Sequence, residues 1–184
     1  MEEGKIIKQM ELDGKKLVFR APKSGDAPKL LEYINSLVEE GAKILIIERM
    51  TLENEEKYLE GLLKAVKSDR KYSFVVECEG KIIAHAHVER KIKERNRNEH
   101  ICHIGIAIAK EFREKGLGTI IMEMLLDHAK TELKSEIVHL TVLSENEAAQ
   151  KLYKKMGFRE VGRIPKGAKY KDKYEDEIIM IKEL

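Results

Sequence analysis

A chain of 184 residues fits one domain of ordinary size and is long enough to bury a hydrophobic core. Apolar residues at 42% and charged residues at 37% exclude a disordered chain, and no apolar run approaches the roughly 20 residues of a bilayer span. Lys plus Arg number 35 against 33 Asp plus Glu, and a net charge of +2 excludes a general attraction to nucleic acid or anionic lipid. The two cysteines, Cys78 and Cys102, lack metal spacing, and the first residues lack the apolar core of a secretory signal. A reducing cytoplasm is the expectation, with both thiols buried and inert.

Residues 5–20 read as two short strands around Asp13-Gly14, a dipeptide that reaches positive φ at little cost. Asp26 is expected to cap a helix whose Leu30, Leu31, Ile34, Leu37 and Val38 share one face. A second helix is expected over 52–67, burying Tyr58, Leu59, Leu62, Leu63 and Val66. The period then changes. Tyr72, Phe74, Val75 and Val76 run into Glu79-Gly80 and on to 82–88, the pattern of a hairpin. After polar residues 89–99 comes a strand over 101–109, then a helix over 116–133 with Leu117, Ile120, Ile121, Met124, Leu125 and Ala129 on one face. A strand over 137–142, a helix over 145–156 and strands over 158–163 and 178–182 complete the order. No repeat, linker or low-complexity tract divides this mixture of β and α, so 1–184 is expected to form a single domain around a strand–helix–strand unit.

The stretch Arg113-Glu114-Lys115-Gly116-Leu117-Gly118 falls where a strand ends and an amphipathic helix begins. The first turn of a helix leaves amide N–H groups without partners and adds positive potential, so that junction can hold a phosphate or pyrophosphate. Gly116 and Gly118 would remove the side chains that keep a ligand away from those amides. A nucleotide-binding P-loop would need Gly-Lys-Ser/Thr where this chain has Gly-Leu-Gly-Thr, and a dinucleotide fingerprint would need three glycines after an early strand. Taken alone, the six residues serve equally well as a plain strand-to-helix turn. Thirty residues on, Ser144 and Glu147 have capping-box spacing, Asn146 falls in the first turn, and Ala148, Ala149, Leu152, Tyr153 and Met156 share a face before Gly157 ends the helix. Tyr153 would seat its ring on the sheet and aim its hydroxyl at a cleft.

The Arg-x-x-Gly-x-Gly turn, preceded by Ile104-Gly105-Ile106-Ala107-Ile108, and the Asn-x-x-Ala-x-x-Leu-Tyr-x-x-x-Gly-Phe pattern from Asn146 to Phe158 together resemble the GNAT superfamily of N-acetyltransferases. Gly162 and Glu177-Ile178-Ile179-Met180 are similar to its closing strands, so the resemblance covers about residues 100–182. It implies an α/β fold of mixed α+β type: a central twisted, mostly antiparallel mixed sheet with a splayed parallel strand pair and helices on both faces. It also implies that acetyl-CoA lies in a V-shaped gap between the strands over 101–109 and 137–142. The backbone N–H groups of Arg113, Glu114, Lys115, Gly116, Leu117, Gly118 and Thr119 would hold the pyrophosphate. The backbone of Ile106, Ala107 and Ile108 would pair with pantetheine, Asn146 would bond the cofactor, and Tyr153 would bind it and protonate the departing thiolate.

Many members of the superfamily carry a glutamate on the strand before the pyrophosphate turn, where this chain has His100-Ile101-Cys102-His103 with Glu99 just outside. His103 is the first candidate for the general base, then His100 or Glu99, while His85 and His87 share a strand face and could act through water; His128 reads as packing. The resemblance implies acetyl-CoA as co-substrate, no metal, and an amine acceptor that is either a small amine or amino acid or a protein N-terminal α-amine. No membrane or nucleic-acid partner is expected, and dimers are common among similar proteins. A non-catalytic acyl-CoA-binding or regulatory module is the alternative; the missing glutamate keeps it open and Tyr153 argues against it. The basic run at residues 90–97 reads as a solvated hairpin extension, since no aromatic is interleaved to stack a base. A loop over 166–173, containing Tyr170, would border the acceptor pocket.

Overall fold

The computed structural model describes residues 1–68, 70–90 and 97–184, so most of the basic run lies outside the described residues. Strand β1 (Ile6–Leu12) turns back into β2 (Lys15–Arg20) through Asp13 and Gly14, whose φ values of 50° and 75° are the left-handed pair that a two-residue hairpin needs. Helix α1 (Ala27–Glu39) buries Leu30, Tyr33 and Leu37 and carries Pro28 in its first turn. Asp26 precedes it, as expected, but its carboxylate does not cap it. Both oxygens accept instead from Arg20, at 2.7 and 2.9 Å, and one also accepts from the Lys23 amide at 2.9 Å. A buried guanidinium claims the carboxylate more strongly than a helix amide does.

Helix α2 (Leu52–Lys67) begins on Thr51, whose hydroxyl accepts from the Asn54 amide, and buries Leu59, Leu62 and Val66. Tyr58 departs from the expected inward face: it is 41% exposed, with its ring edge-on to His85, while Glu55 turns inward. Strands β3 (Lys71–Cys78) and β4 (Lys81–Glu89) make the anticipated hairpin through Glu79 and Gly80. Strand β5 (Ile101–Ile108), helix α3 (Leu117–Thr131) and strand β6 (Ile137–Leu143) form the central unit.

Two expectations near the C-terminus are corrected. The capping box does not form. Helix α4 (Glu147–Lys155) is capped by Asn146, whose Oδ1 accepts from the Ala149 amide at 3.2 Å, whereas the Ser144 hydroxyl accepts from the Asp176 amide on a neighbouring strand. The stretch 166–173, read as a loop, belongs to a long hairpin of β7 (Arg159–Tyr170) and β8 (Lys173–Glu183). Its lysines and glycine conceal the strand pattern, but pairing of Ala168 with Glu175 and Lys169 with Tyr174 supplies the hydrogen bonds.

Among the described residues eight strands form one sheet in the order β1-β2-β3-β4-β5-β6-β8-β7, antiparallel throughout except for the parallel pair β5–β6. Helices cover both faces. Leu117, Ile121 and Leu125 of α3 and Tyr153 of α4 pack on one face against Phe74, Val88, Ile104 and Leu140. Leu30, Leu37, Leu59 and Leu62 of α1 and α2 pack on the other with Val75 and Ile82. Cys78 and Cys102 are buried and unbridged, as expected. No helix among the described residues is long and apolar enough to cross a membrane.

Candidate active site

The parallel pair is hydrogen-bonded only from Ile101 opposite Ile137 to His103 opposite His139, after which each strand continues without the other. The sheet therefore opens into a V between Ile104–Ile108 of one strand and Leu140–Leu143 of the other, where the resemblance places acetyl-CoA. Alternation decides which backbone groups face that gap. The Ala109 amide donates to Ile83 of β4 at 2.8 Å, so Ala107 also turns its backbone toward β4, while Ile106 and Ile108 turn theirs toward the gap. The Ala107 carbonyl further accepts the Tyr33 hydroxyl at 2.8 Å, and the Ile108 carbonyl accepts from Arg113 Nε at 2.7 Å. Ile106 thus offers both its N–H and its C=O to the gap, and Ile108 its N–H.

A short 3₁₀ turn at Lys110–Phe112 leads from β5 into the glycine turn. Glu114 and Gly116 take left-handed φ values of 61° and 83°, and Leu117, wholly buried, pins the start of α3. Of the seven amides expected to form the cradle, Arg113 N–H donates to the Lys110 carbonyl and Thr119 N–H to that of Gly116. The remaining amides, 114–118, flank the positive end of α3. The side chains lead elsewhere: Arg113 pairs with Glu40, and Lys115 with Asp13 at 2.9 Å. The glycines also divide their tasks. A Cβ on Gly116 would meet nothing within 4 Å, so this position is open to a ligand, but one on Gly118 would lie 2.9 Å from Leu152 Cδ2. The missing side chain of Gly118 therefore admits α4 rather than a phosphate, which corrects the expectation of steric permission at that residue.

Tyr153 is 7% exposed with its ring 6.0 Å from that of Phe158, and burial pushes its phenol up to about 12. It is therefore protonated at neutral pH. Asn146 reaches the same end of β6, its carbonyl oxygen spent on capping α4.

His103 sits at the last paired position before the strands part, and its ring lies 5.0 Å from that of His139 and 6.0 Å from that of His87. His87 lies 5.8 Å from His85, so four imidazoles form a row across β4, β5 and β6 on the α1–α2 face. Burial drives His85 down to about 4, with its ring accepting or donating at Ser73 Oγ, and His87 down to about 2. Burial thus makes both weaker proton acceptors than a free imidazole. His100 and Glu99 lie just outside the start of β5, four and three residues before His103 respectively for Glu99 and His100. His128 stacks on Tyr72 at 3.8 Å, the packing role anticipated for it.

A cavity of about 270 Å³ abuts the far end of β6 at Leu143, walled by Ile44, Leu45 and Ile46 from the connection between α1 and α2 and by Tyr170 and Glu175 from the β7–β8 hairpin. Tyr170 was expected at such a pocket. The α1–α2 connection was missed, although its run Ile44-Leu45-Ile46-Ile47 between two amphipathic helices was a readable signal. Lys43 ties this connection to the sheet through Glu145 at 2.6 Å and Glu175 at 2.9 Å, and the second Glu175 oxygen is buried with no hydrogen-bond partner among the described residues.

The model of the acetyltransferase (GNAT) family matches residues 38–158, and the chain belongs to that family. The chain is 27% identical over 107 residues to the L-amino acid N-acetyltransferase AaaT of Escherichia coli, a match spanning 58% of this chain and 65% of that protein. It is 27% identical over 147 residues to an N-alpha-acetyltransferase of Sulfurisphaera tokodaii, spanning 74% of this chain and 86% of that one. Among solved structures, a GNAT acetyltransferase from Streptococcus pneumoniae superposes with a TM-score of 0.77 at 27% identity, covering 91% of this chain and 99% of that one. The fold is also that of yncA from Salmonella typhimurium, solved with its cofactor acetyl-CoA, at a TM-score of 0.75, 18% identity and coverage of 91% and 94%.

Proposed function

We propose that this chain is an acetyl-CoA-dependent N-acetyltransferase that moves the acetyl group to a primary amine by direct attack within a ternary complex. The observation that carries the reading is the conjunction of an unpaired V between β5 and β6 with five amides, 114–118, at the start of α3. A pyrophosphate on those amides and a pantetheine arm paired with Ile106 bring a thioester to the point where the strands part. The amine attacks the thioester carbonyl, the tetrahedral intermediate collapses, and the C–S bond breaks. Tyr153, protonated at neutral pH, gives its proton to a thiolate whose reference pKa is about 8.5. An N–H facing the gap, such as that of Ile106, would meet the oxyanion.

His103 is read as the base that receives the proton the attacking ammonium must lose, a reading supported by its position at the last paired residue of β5, at the apex of the gap. An α-amine, with a pKa near 8, is roughly one-tenth neutral at pH 7, whereas a lysine amine is less than about 0.1% neutral. A modest base therefore suits an α-amine, and so does a small cavity in which the Glu175 carboxylate stands among Ile44, Leu45, Ile46 and Tyr170. The acceptor read from these features is the α-amine of an amino acid or of a peptide N-terminus, in keeping with the activities named for the two relatives described above. Thiol release from acetyl-CoA, measured over a panel of amino acids, peptides and polyamines, tests this. Turnover should favour α-amines; tight acetyl-CoA binding without turnover on any amine would instead mark a binding module.

A further inference from the structure

We propose that His87, Glu89 and His103 form a site for a divalent transition-metal ion of the zinc class, on the sheet face beside the gap. His87 and Glu89 are two apart on β4 and so project to one face, and Glu89 stands opposite His103 in the β4–β5 register. One donor atom from each of the three lies within 4.8 Å of the other two, and all three residues are half-buried. Two imidazoles and one carboxylate are a nitrogen and oxygen set that zinc accepts with a coordination position left open. Tetrahedral binding places donors about 3.4 Å apart, so the three side chains need only rotate inward by roughly an ångström.

The surroundings hold the donors in place. Glu89 Oε2 is tied to Lys71 Nζ at 3.1 Å while Oε1 faces His87 Nε2 at 4.0 Å, so the lysine orients the carboxylate from behind. The His87 ring lies over Gly105, its partner across the strands, where a Cβ would stand 2.4 Å from the ring Cε1. Glycine at 105 is thus what lets the imidazole lie toward His103. His139 flanks the group on the far side, its ring 5.0 Å from that of His103.

The test uses the full chain after chelator treatment, titrated with Zn²⁺ by calorimetry and with Co²⁺ as a visible-absorption reporter. The expected result is one ion per chain, with His87→Asn and Glu89→Gln each weakening Zn²⁺ at least about tenfold, the scale seen for lost ligand support. Gly105→Ala removes no donor but displaces the ring, and it should weaken the ion comparably while circular dichroism shows the fold retained. Absence of stoichiometric binding, or affinity unmoved by all three substitutions, would overturn the site. Zn²⁺ should also inhibit acetyl transfer reversibly by occupying His103. That consequence rests on the base role given to His103, whereas the binding data judge the site even if no amine is acetylated.

Discussion

In the proposed reaction Tyr153 must hold a proton at neutral pH and reach the departing sulfur. The short helix α4 meets the first by seating the ring beside Phe158 in the core, where burial pushes the hydroxyl up to about 12. Tyr153→Phe keeps the packing and removes the proton, so kcat should fall by about 100-fold or more while the KM for acetyl-CoA changes little; steady-state thiol release measures both, and an unchanged kcat would remove the assignment. The two glycines of the turn should separate in the same way. Gly116→Val puts a side chain into the space open to a ligand, at a φ of 83° that also costs the fold some stability, and should weaken acetyl-CoA by about tenfold, roughly 1.4 kcal/mol. Gly118→Ala drives a methyl into Leu152 and should appear mainly as lost stability of about 1–3 kcal/mol in denaturant melts. Both glycines belong to one sequence motif, and only the tertiary contact with α4 distinguishes them.

At the scale of elements, α1 is fastened to the sheet by a buried ion pair that no local pattern announces. Arg20 on β2 holds Asp26 at the start of α1 and Glu77 on β3 at 2.7 Å, and Lys29 reaches the same Glu77 oxygen at 3.4 Å. Asp26→Ala leaves the guanidinium without its main partner and should cost about 3–5 kcal/mol in denaturant unfolding. Burial pushes the Glu77 carboxyl up, but Arg20 and Lys29 outweigh it and hold the group below its ordinary 4.5. A folded-state value below the unfolded one means that Glu77 contributes stability above about pH 4.5, lost as pH falls through the folded value. Glu77→Gln should therefore flatten the acid limb of a stability–pH profile; an unaltered limb would contradict the ion-pair account. The elements legible in the sequence are those with local signals: the Asp13-Gly14 and Glu79-Gly80 turns and the period of α2. The caps were less legible, because Asp26 and Ser144 bond to residues on other strands. The inner parts of β7 and β8 were legible, whereas the outer part of their hairpin, 164–177, was concealed because its surface lysines carry no apolar alternation.

At the scale of the whole molecule, the proposed function depends on a sheet that stops pairing midway. The two motifs at 113–118 and 146–158 made the gap legible in the sequence through the family resemblance they carry, and they follow the two strands that part. The histidine row was not legible, because spacing reveals only His85 and His87, and the alignment of His103 and His139 with them follows from register across three strands. The cavity joins the α1–α2 connection to a hairpin more than a hundred residues away, a proximity with no local signature. The central claim is that the diphosphate of acetyl-CoA rests on amides 114–118 with its thioester in the V between β5 and β6. A crystal structure with acetyl-CoA measures this directly. The account predicts phosphate oxygens about 2.7–3.2 Å from those amide nitrogens and pantetheine paired with Ile106; a diphosphate bound elsewhere, or a thioester outside the V, would contradict it.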